Sequence, residues 1–316
     1  MTFTSYAPII LFAYNRPQYL RETLEALSKN HEAQFSSLYI FCDGPKKNAS
    51  NDDLKKIIEV RSVAKEKKWC LENIIFERET NMGLSLSVIT GISELLKINN
   101  KIIVLEDDLV TSPYFLNYMN TALFIYENME EVISIVGYNY PIKFNDLNKE
   151  TFFIKNADCF GWGTWKRGWD LFEADANVLI KKIENNKAAK EFNFNNNYPF
   201  MRMLKSVTKR KVDSWAIRWY ASAFINNKLS LFPKKSLVKN IGNIGTHFKA
   251  DNSDLLGFEI SDSKVTYFES NLSADKESWA LLAKHFRKYN RRRLSVSSIK
   301  YFYRRFVLSN IKKRFK

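Results

Sequence analysis

The fold class predicted by this chain of 316 residues is α/β, a mostly parallel sheet flanked by helices, and three observations predict it. Four short apolar runs alternate with segments whose apolar residues recur at helical spacing, the pattern of βαβ units with right-handed crossovers. Each run ends in polar residues, as strands do where an open α/β sheet binds ligands outside their carboxyl ends. With 45% hydrophobic residues, only 10 Gly and 7 Pro, and no repeat at 20 to 50 residues, the composition is that of a compact enzyme-sized protein.

The first strand is PIILFAY at 8–14, ended by Asn15-Arg16-Pro17 and followed by a helix through Tyr19, Leu20, Leu24 and Leu27. SLYIFCDGP at 37–45 forms the second, ending in Asp43-Gly44-Pro45 before a helix through Leu54, Ile57, Ile58 and Val63. NIIFERE at 73–79, the loop TNMG and a helix through Leu86, Ile89, Ile92 and Leu95 make the third unit, and KIIVLED at 101–107 closes the series. A capping serine and a proline, Ser112-Pro113, then open a helix through Phe115, Tyr118, Met119 and Phe124. VISIVGY at 132–138 reads as a strand.

Beyond residue 150 the rhythm loosens. TFFIKN is a strand, CFGWGTWKRGWD an aromatic and glycine-rich loop, and 171–197 a polar helical insertion. A helix at 213–227 is capped by Asp213 or Ser214, LSLFP is a further strand, and SLVKNIGNIGTHF is a strand running into a loop. The expected organisation is 1–140 as the nucleotide-binding half, 141–275 as the acceptor-binding half and 276–316 as a basic tail.

Net charge is +15, but residues 284–316 carry thirteen bases and no acid, which leaves +2 for the rest. The tail mixes these cations with Ile299, Phe302, Tyr303, Phe306, Val307 and Ile311 at roughly helical spacing, the pattern of an amphipathic helix on an anionic membrane surface. A solvated tail and a helix packed on the body are the other readings. No nucleic-acid partner is expected, because the body has no basic stripe. Three cysteines without CxxC spacing point to no disulfide framework and no structural zinc, and fit a reducing compartment. The N-terminal apolar run is too short for a signal peptide or a span, so the expected location is cytoplasmic.

The segment KIIVLEDDLVTSPYF places Glu106, Asp107 and Asp108 in succession at a strand exit. Carboxylates this close repel one another unless a cation intervenes, and hard divalent ions take one or two carboxylates completed by water and phosphate oxygens. Favouring the next helix dipole explains the same residues equally well. No GxxxxGK[ST] is present and no GxGxxG follows the first strand, which argues against a P-loop enzyme and a dinucleotide dehydrogenase. Taken singly, Asp43 fits a β-turn, Arg16 a surface pair and Asp213 an N-cap.

Together APIILFAYNRP, YIFCDGP, VLEDDLVTSPYFLNYM, FGWGTW and VDSWAIRW resemble the inverting GT-A glycosyltransferases, in particular the N-acetylglucosaminyltransferase I type and its bacterial relatives, in consistent order over residues 7–248. The resemblance implies a GT-A, Rossmann-like sheet and transfer from a nucleotide-sugar donor, UDP-linked, with Mn2+ or Mg2+. It implies that Arg16 contacts the diphosphate, Asp43 reads the uracil ring, Asp108 holds the metal, and Asp107 and Glu106 touch ribose and donor sugar. Asp213 matches the catalytic base. Asn81, at the end of the third strand, joins the nucleotide side; Trp162 and Gly161 are expected at the sugar or acceptor, while Trp165 and Trp169 are expected in the core. In GNIGTHF a lone histidine is more often structural, and here His247 or Thr246 is assigned to metal or diphosphate. His31 and His285 are expected at the surface.

Two departures stand out: about 40 residues separate the FGWGTW loop from Asp213, and no N-terminal anchor matches the animal enzymes. The expected activity is extension of a bacterial surface glycan, lipopolysaccharide or capsule, on a lipid-linked acceptor at the inner membrane face. A catalytically inactive nucleotide-sugar binder and a sugar-phosphate nucleotidyltransferase share the sheet and remain alternatives.

Overall fold

A computed structural model describes residues 6–144, 149–242 and 259–302. The four predicted units are present: β1 (Ile9–Ala13), α1 (Pro17–Ser28), β2 (Ser37–Cys42), α2 (Asn51–Lys65), β3 (Glu72–Glu77), α3 (Leu84–Leu95) and β4 (Lys101–Glu106). They pair in parallel in the order β3-β2-β1-β4, with Ile9 opposite both Leu38 and Ile103. All five residues of β1 are buried, as a strand covered on both faces requires.

The chain continues through β5 (Leu109–Thr111), α4 (Phe115–Ile125), β6 (Val132–Val136), β7 (Thr151–Ile154), β8 (Trp162–Trp165), α5 (Lys166–Trp169), α6 (Ala176–Asn185), α7 (Ala189–Phe192), α8 (Phe200–Thr208), α9 (Trp215–Ile225), β9 (Leu229–Pro233), β10 (Val238–Asn240) and α10 (Lys276–Phe302). One eight-stranded sheet runs β3-β2-β1-β4-β8-β6-β9-β7, and β10 pairs antiparallel with β5 in a small second sheet. The predicted nucleotide and acceptor halves therefore share one continuous sheet. Its second half is mixed: β8 runs antiparallel to β4 and β6, β9 is parallel to β6, and β7 is antiparallel to β9.

Three apolar clusters cover this frame. One face packs α1, α2 and α4 through Leu20, Leu24, Val60, Val63, Phe115 and Met119. The other packs α3 and α9 through Val88, Ile92, Trp215 and Trp219 against Ile10, Phe12 and Val104. A third core, around Phe152, Leu179, Ile183, Phe192, Phe194, Leu204 and Phe232, closes the far end of the sheet. Each such fully buried side chain contributes about 1.5–3 kcal/mol.

Two expectations change here, and a third narrows. CFGWGTWKRGWD is not a loop: it supplies β8, inserted antiparallel between β4 and β6, and the short helix α5. The insertion at 171–197 is polar only on its outer side, because Leu179, Ile183 and Phe192 are fully buried. Of the readings left open for the tail, packing on the body holds for its start. Leu282, Ala283 and Phe286 of α10 sit in the third core, and Arg287 donates Nε–H to Asn197 at 2.7 Å, so its first turns belong to the body. No helix among the described residues is long and apolar enough to cross a membrane. Residues 303–316 lie outside the described residues.

Candidate active site

Adjacent parallel strands bring the principal polar residues together. Phe12 of β1 lies opposite Glu106 of β4, so the residues after each strand, Tyr14-Asn15-Arg16 and Asp107-Asp108, emerge side by side. Arg16 occupies the N-cap position of α1 and makes no side-chain cap there. Its guanidinium instead bridges two carboxylates, donating Nη1–H to Asp108 Oδ2 at 2.7 Å and both Nη2–H and Nε–H to Asp107. Thr23 Oγ1 donates to the Asp107 carbonyl at 3.0 Å, which ties α1 to the same turn.

The small β5–β10 sheet supplies the opposite wall. Asn240 donates Nδ2–H to Asp108 Oδ1 at 3.4 Å, and the Ile241 amide donates to the Asp108 carbonyl at 2.9 Å. Next comes Gly242, where an added Cβ would overlap Asp108 Oδ2 and crowd Arg16 Nη1. The backbone passes close over the carboxylate, and any side chain at 242 would displace Asp108 from Arg16. Sequence reasoning missed Asn240 and Gly242, since only the pairing of β10 with distant β5 brings them to the site.

Charge in this corner is unbalanced. Burial first, then the charges of Asp108 and Asp107, lift the Glu106 carboxyl to about 8 against the pull of Arg16. Among the described residues no hydrogen-bond donor contributes to that shift. Asp107 is likewise raised by burial, against the pull of Arg16. Burial acts to lower Arg16, but Asp107 and Asp108 hold it above its ordinary value. With all three acids ionised, the one guanidinium paired with them among the described residues leaves a formal charge of −2. Cys159, raised by burial and then by Asp158, Glu106 and Asp108, stands beside the same group.

This donor set fits a hard divalent cation. Among the described residues no three His, Cys, Asp or Glu side chains converge as an all-protein cage. One or two carboxylates with substrate phosphates and water are, however, the usual shell of Mg2+-like ions, and Asp108 with Glu106, unpartnered among the described residues, offers that. Thr246 and His247 lie outside the described residues.

Asp43 is arranged differently. It is buried, and its Oδ1 accepts from the Gly44 and Met82 amides, both at 2.9 Å. Its Oδ2 accepts from Asn81 Nδ2 at 2.9 Å and the Gly83 amide at 3.0 Å. The pairing of Asp43 with Asn81 thus clamps the β3–α3 loop onto the end of β2. Four donors from the chain itself occupy the carboxylate.

Asp213 is not the cap of α9; the Ser214 hydroxyl takes that role, accepting from the Ile217 amide. The Asp213 side chain is 70% exposed and accepts from Arg218 Nη2 at 2.8 Å. Arg218, five residues along, escaped the sequence reading although a helix turn carries it back toward Asp213.

Trp162 is corrected. Its side chain has no exposure, lies in β8 opposite Val104 and Val136, and stacks on Trp215 with centroids 5.6 Å apart. Buried in the sheet, it cannot face a sugar; with Trp169 it forms the bed on which Trp215 and Trp219 of α9 rest. Trp165 and Trp169 are in the core as expected. Gly161 adopts φ +61°, and a Cβ there would press on the Val238 side chain at 2.7 Å, so its role is backbone packing against β10. His285 is half-buried against Tyr140 and Phe286, and burial lowers it to about 4, whereas His31 is exposed as expected.

No family model and no curated relative matches the chain. Among solved structures it is similar to a cytidylyltransferase from Leptospira borgpetersenii, at 13% identity over 52% of this chain and 63% of that one, with a TM-score of 0.29. It is also similar to S. aureus TarS, at 13% identity, 74% and 36% coverage and a TM-score of 0.40. A third is glucosyl-3-phosphoglycerate synthase from Mycobacterium tuberculosis in complex with Mn2+, UDP and glucosyl-3-phosphoglycerate, at 10% identity, 58% and 66% coverage and a TM-score of 0.33. The chain spans less than two thirds of each of these proteins. The functional reading therefore rests on the chain's own residues.

Proposed function

We propose that this chain is a metal-dependent inverting glycosyltransferase of GT-A type, moving a hexose or N-acetylhexosamine from a UDP-sugar to a glycan acceptor. The observation that carries the reading is the cluster of Glu106, Asp107 and Asp108 against Arg16, the one cation paired with it among the described residues, at the carboxyl ends of β4 and β1. That is where an open α/β sheet receives a ligand, and the uncompensated negative charge calls for a divalent cation with an anionic substrate.

Asp108, with Glu106, would hold Mn2+ or Mg2+, which when bound supplies positive charge to the leaving diphosphate. Arg16, freed from part of its contact with Asp108, donates hydrogen bonds to phosphate oxygens. Asp107, held by Arg16 and by the Tyr14 amide, fixes the turn and faces the ribose side. The loop clamped by Asp43 and Asn81 shapes the nucleobase end. Asp213 takes the proton from an acceptor hydroxyl as its oxygen bonds to the anomeric carbon and the bond to the diphosphate oxygen breaks, with inversion. UDP leaves as Arg16 donates hydrogen bonds to its phosphate oxygens.

The acceptor in this reading is a lipid-linked bacterial glycan such as a lipopolysaccharide or capsule precursor, and the basic sequence after 290 supports an encounter at an anionic membrane surface. The test is transfer from UDP-glucose and UDP-N-acetylglucosamine to lipid-linked acceptors with Mn2+ present. Transfer lost in both Asp108→Asn and Asp213→Asn is the expected result. UDP binding without transfer or donor hydrolysis favours an inactive binder, and pyrophosphate release from a nucleoside triphosphate favours a nucleotidyltransferase.

A further inference from the structure

Arg218 lies outside the acidic corner and ties Asp213 to the first turn of α3. Its side chain is only 11% exposed, and it donates to four oxygens. Nε–H reaches the Ser214 carbonyl at 3.1 Å, Nη1–H reaches the Ala174 carbonyl at 3.2 Å, and Nη2–H groups reach Ser85 Oγ and, at 2.8 Å, Asp213 Oδ1. Three of these partners are neutral, so Asp213 is the only carboxylate paired with this largely buried charge among the described residues.

Ser85 marks the other end of the connection. It is buried in the first turn of α3, two residues after Gly83, whose amide binds Asp43 at the end of β2. A chain of contacts thus runs from Asp43 through the 81–83 loop and Ser85 to Arg218 and Asp213. The α9 end of it stands on the Trp162–Trp215 stack, so the guanidinium has a rigid base. Arg is suited to the task because its planar fork satisfies several acceptors in fixed directions, which a lysine cannot do.

We infer that Arg218 is a positioning residue that fixes the Asp213 carboxylate relative to the nucleotide-side loop, so that donor binding at 81–85 and base placement at 213 are coupled. The inference rests on the proposed function. Asp213 has one oxygen engaged by Arg218 and is otherwise open to solvent, the arrangement a base needs if it is to be aimed while remaining accessible.

Hydrogen–deuterium exchange of the full chain, with UDP and Mn2+ as probe, tests the coupling. In the wild type, the probe slows exchange at 81–85 and also at 213–218. In Arg218→Gln the protection at 81–85 persists, while that at 213–218 falls by about fivefold. Undiminished protection of both segments in the variant overturns the inference. No protection at 81–85 in the wild type instead removes the site reading itself, which is a distinguishable failure.

A kinetic arm separates positioning from folding. With UDP-glucose and UDP-N-acetylglucosamine as donors and water as acceptor, Arg218→Gln lowers the kcat for UDP release about 100-fold and leaves KM within about twofold. In an Asp213→Asn background the same substitution costs less than about twofold more. An equal loss in both backgrounds assigns Arg218 to fold maintenance and overturns the inference.

Discussion

Replacing Glu106 by Gln removes a charge that the apo protein holds at a cost. Burial beside Asp108 and Asp107 lifts this carboxyl from 4.5 to about 8. Each unit is worth about 1.4 kcal/mol, so the upper limit is about 5 kcal/mol. Glu106 keeps some solvent contact, and screening reduces the figure to about 2 kcal/mol. The folded state binds this proton more tightly than the unfolded chain. The stabilisation is therefore complete below pH 4.5 and is lost as pH rises through about 8. With EDTA present, Glu106→Gln and wild type should melt together near pH 4.5, and the variant should melt roughly 4 °C higher at pH 9. UDP with Mn2+ at pH 9 should reverse that order, since the carboxylate then gains a cation that Gln binds weakly. A melting difference that stays flat from pH 4.5 to 9 would refute the charge argument.

Gly242→Ala should lower UDP–Mn2+ affinity at least about tenfold by calorimetry, because its Cβ overlaps Asp108 Oδ2, with little change in the melting of the rest of the fold. Trp215→Ala should destabilise by about 3–5 kcal/mol in urea titration, because it empties the stack beneath α9, and the surviving protein should show impaired transfer. A chain ending at residue 290 retains Leu282 and Phe286 in the third core; it should fold normally and stay in the supernatant with anionic vesicles, whereas the full chain should sediment with them. Arg16→Gln should weaken UDP binding about tenfold in the presence of Mn2+, checked by the same calorimetry.

The four βα units were legible because their signals are local: an apolar run, a polar end and helical spacing lie within about thirty residues of each other. The meeting of Arg16 with Asp107 and Asp108 followed from that, since β1 and β4 are neighbours in the sheet and both end at one edge. Long-range pairing hid the rest. FGWGTW looks like a loop because its glycines interrupt the apolar pattern, yet β4 and β6 on either side hold it as a buried strand, and this turns Trp162 from an expected sugar contact into a core residue. Nothing in VDSWAIRW alone distinguishes the capping role of Ser214 from the paired role of Asp213; the Ile217 amide on Ser214 Oγ and the Arg218 guanidinium on Asp213 Oδ1 separate them. The tail misled for a similar reason: charge dominates the composition after 284, but the apolar residues that decide where α10 begins to dock are Leu282, Ala283 and Phe286.

Anomalous diffraction at the manganese edge from crystals grown with UDP and Mn2+ addresses the acidic corner most directly. The expected map has one peak within about 2.3 Å of an Asp108 carboxylate oxygen, with diphosphate oxygens completing its shell and Arg16 turned toward them. Nucleotide bound elsewhere, or manganese lodged away from Asp108 with the Arg16 ion pairs unchanged, would contradict the account.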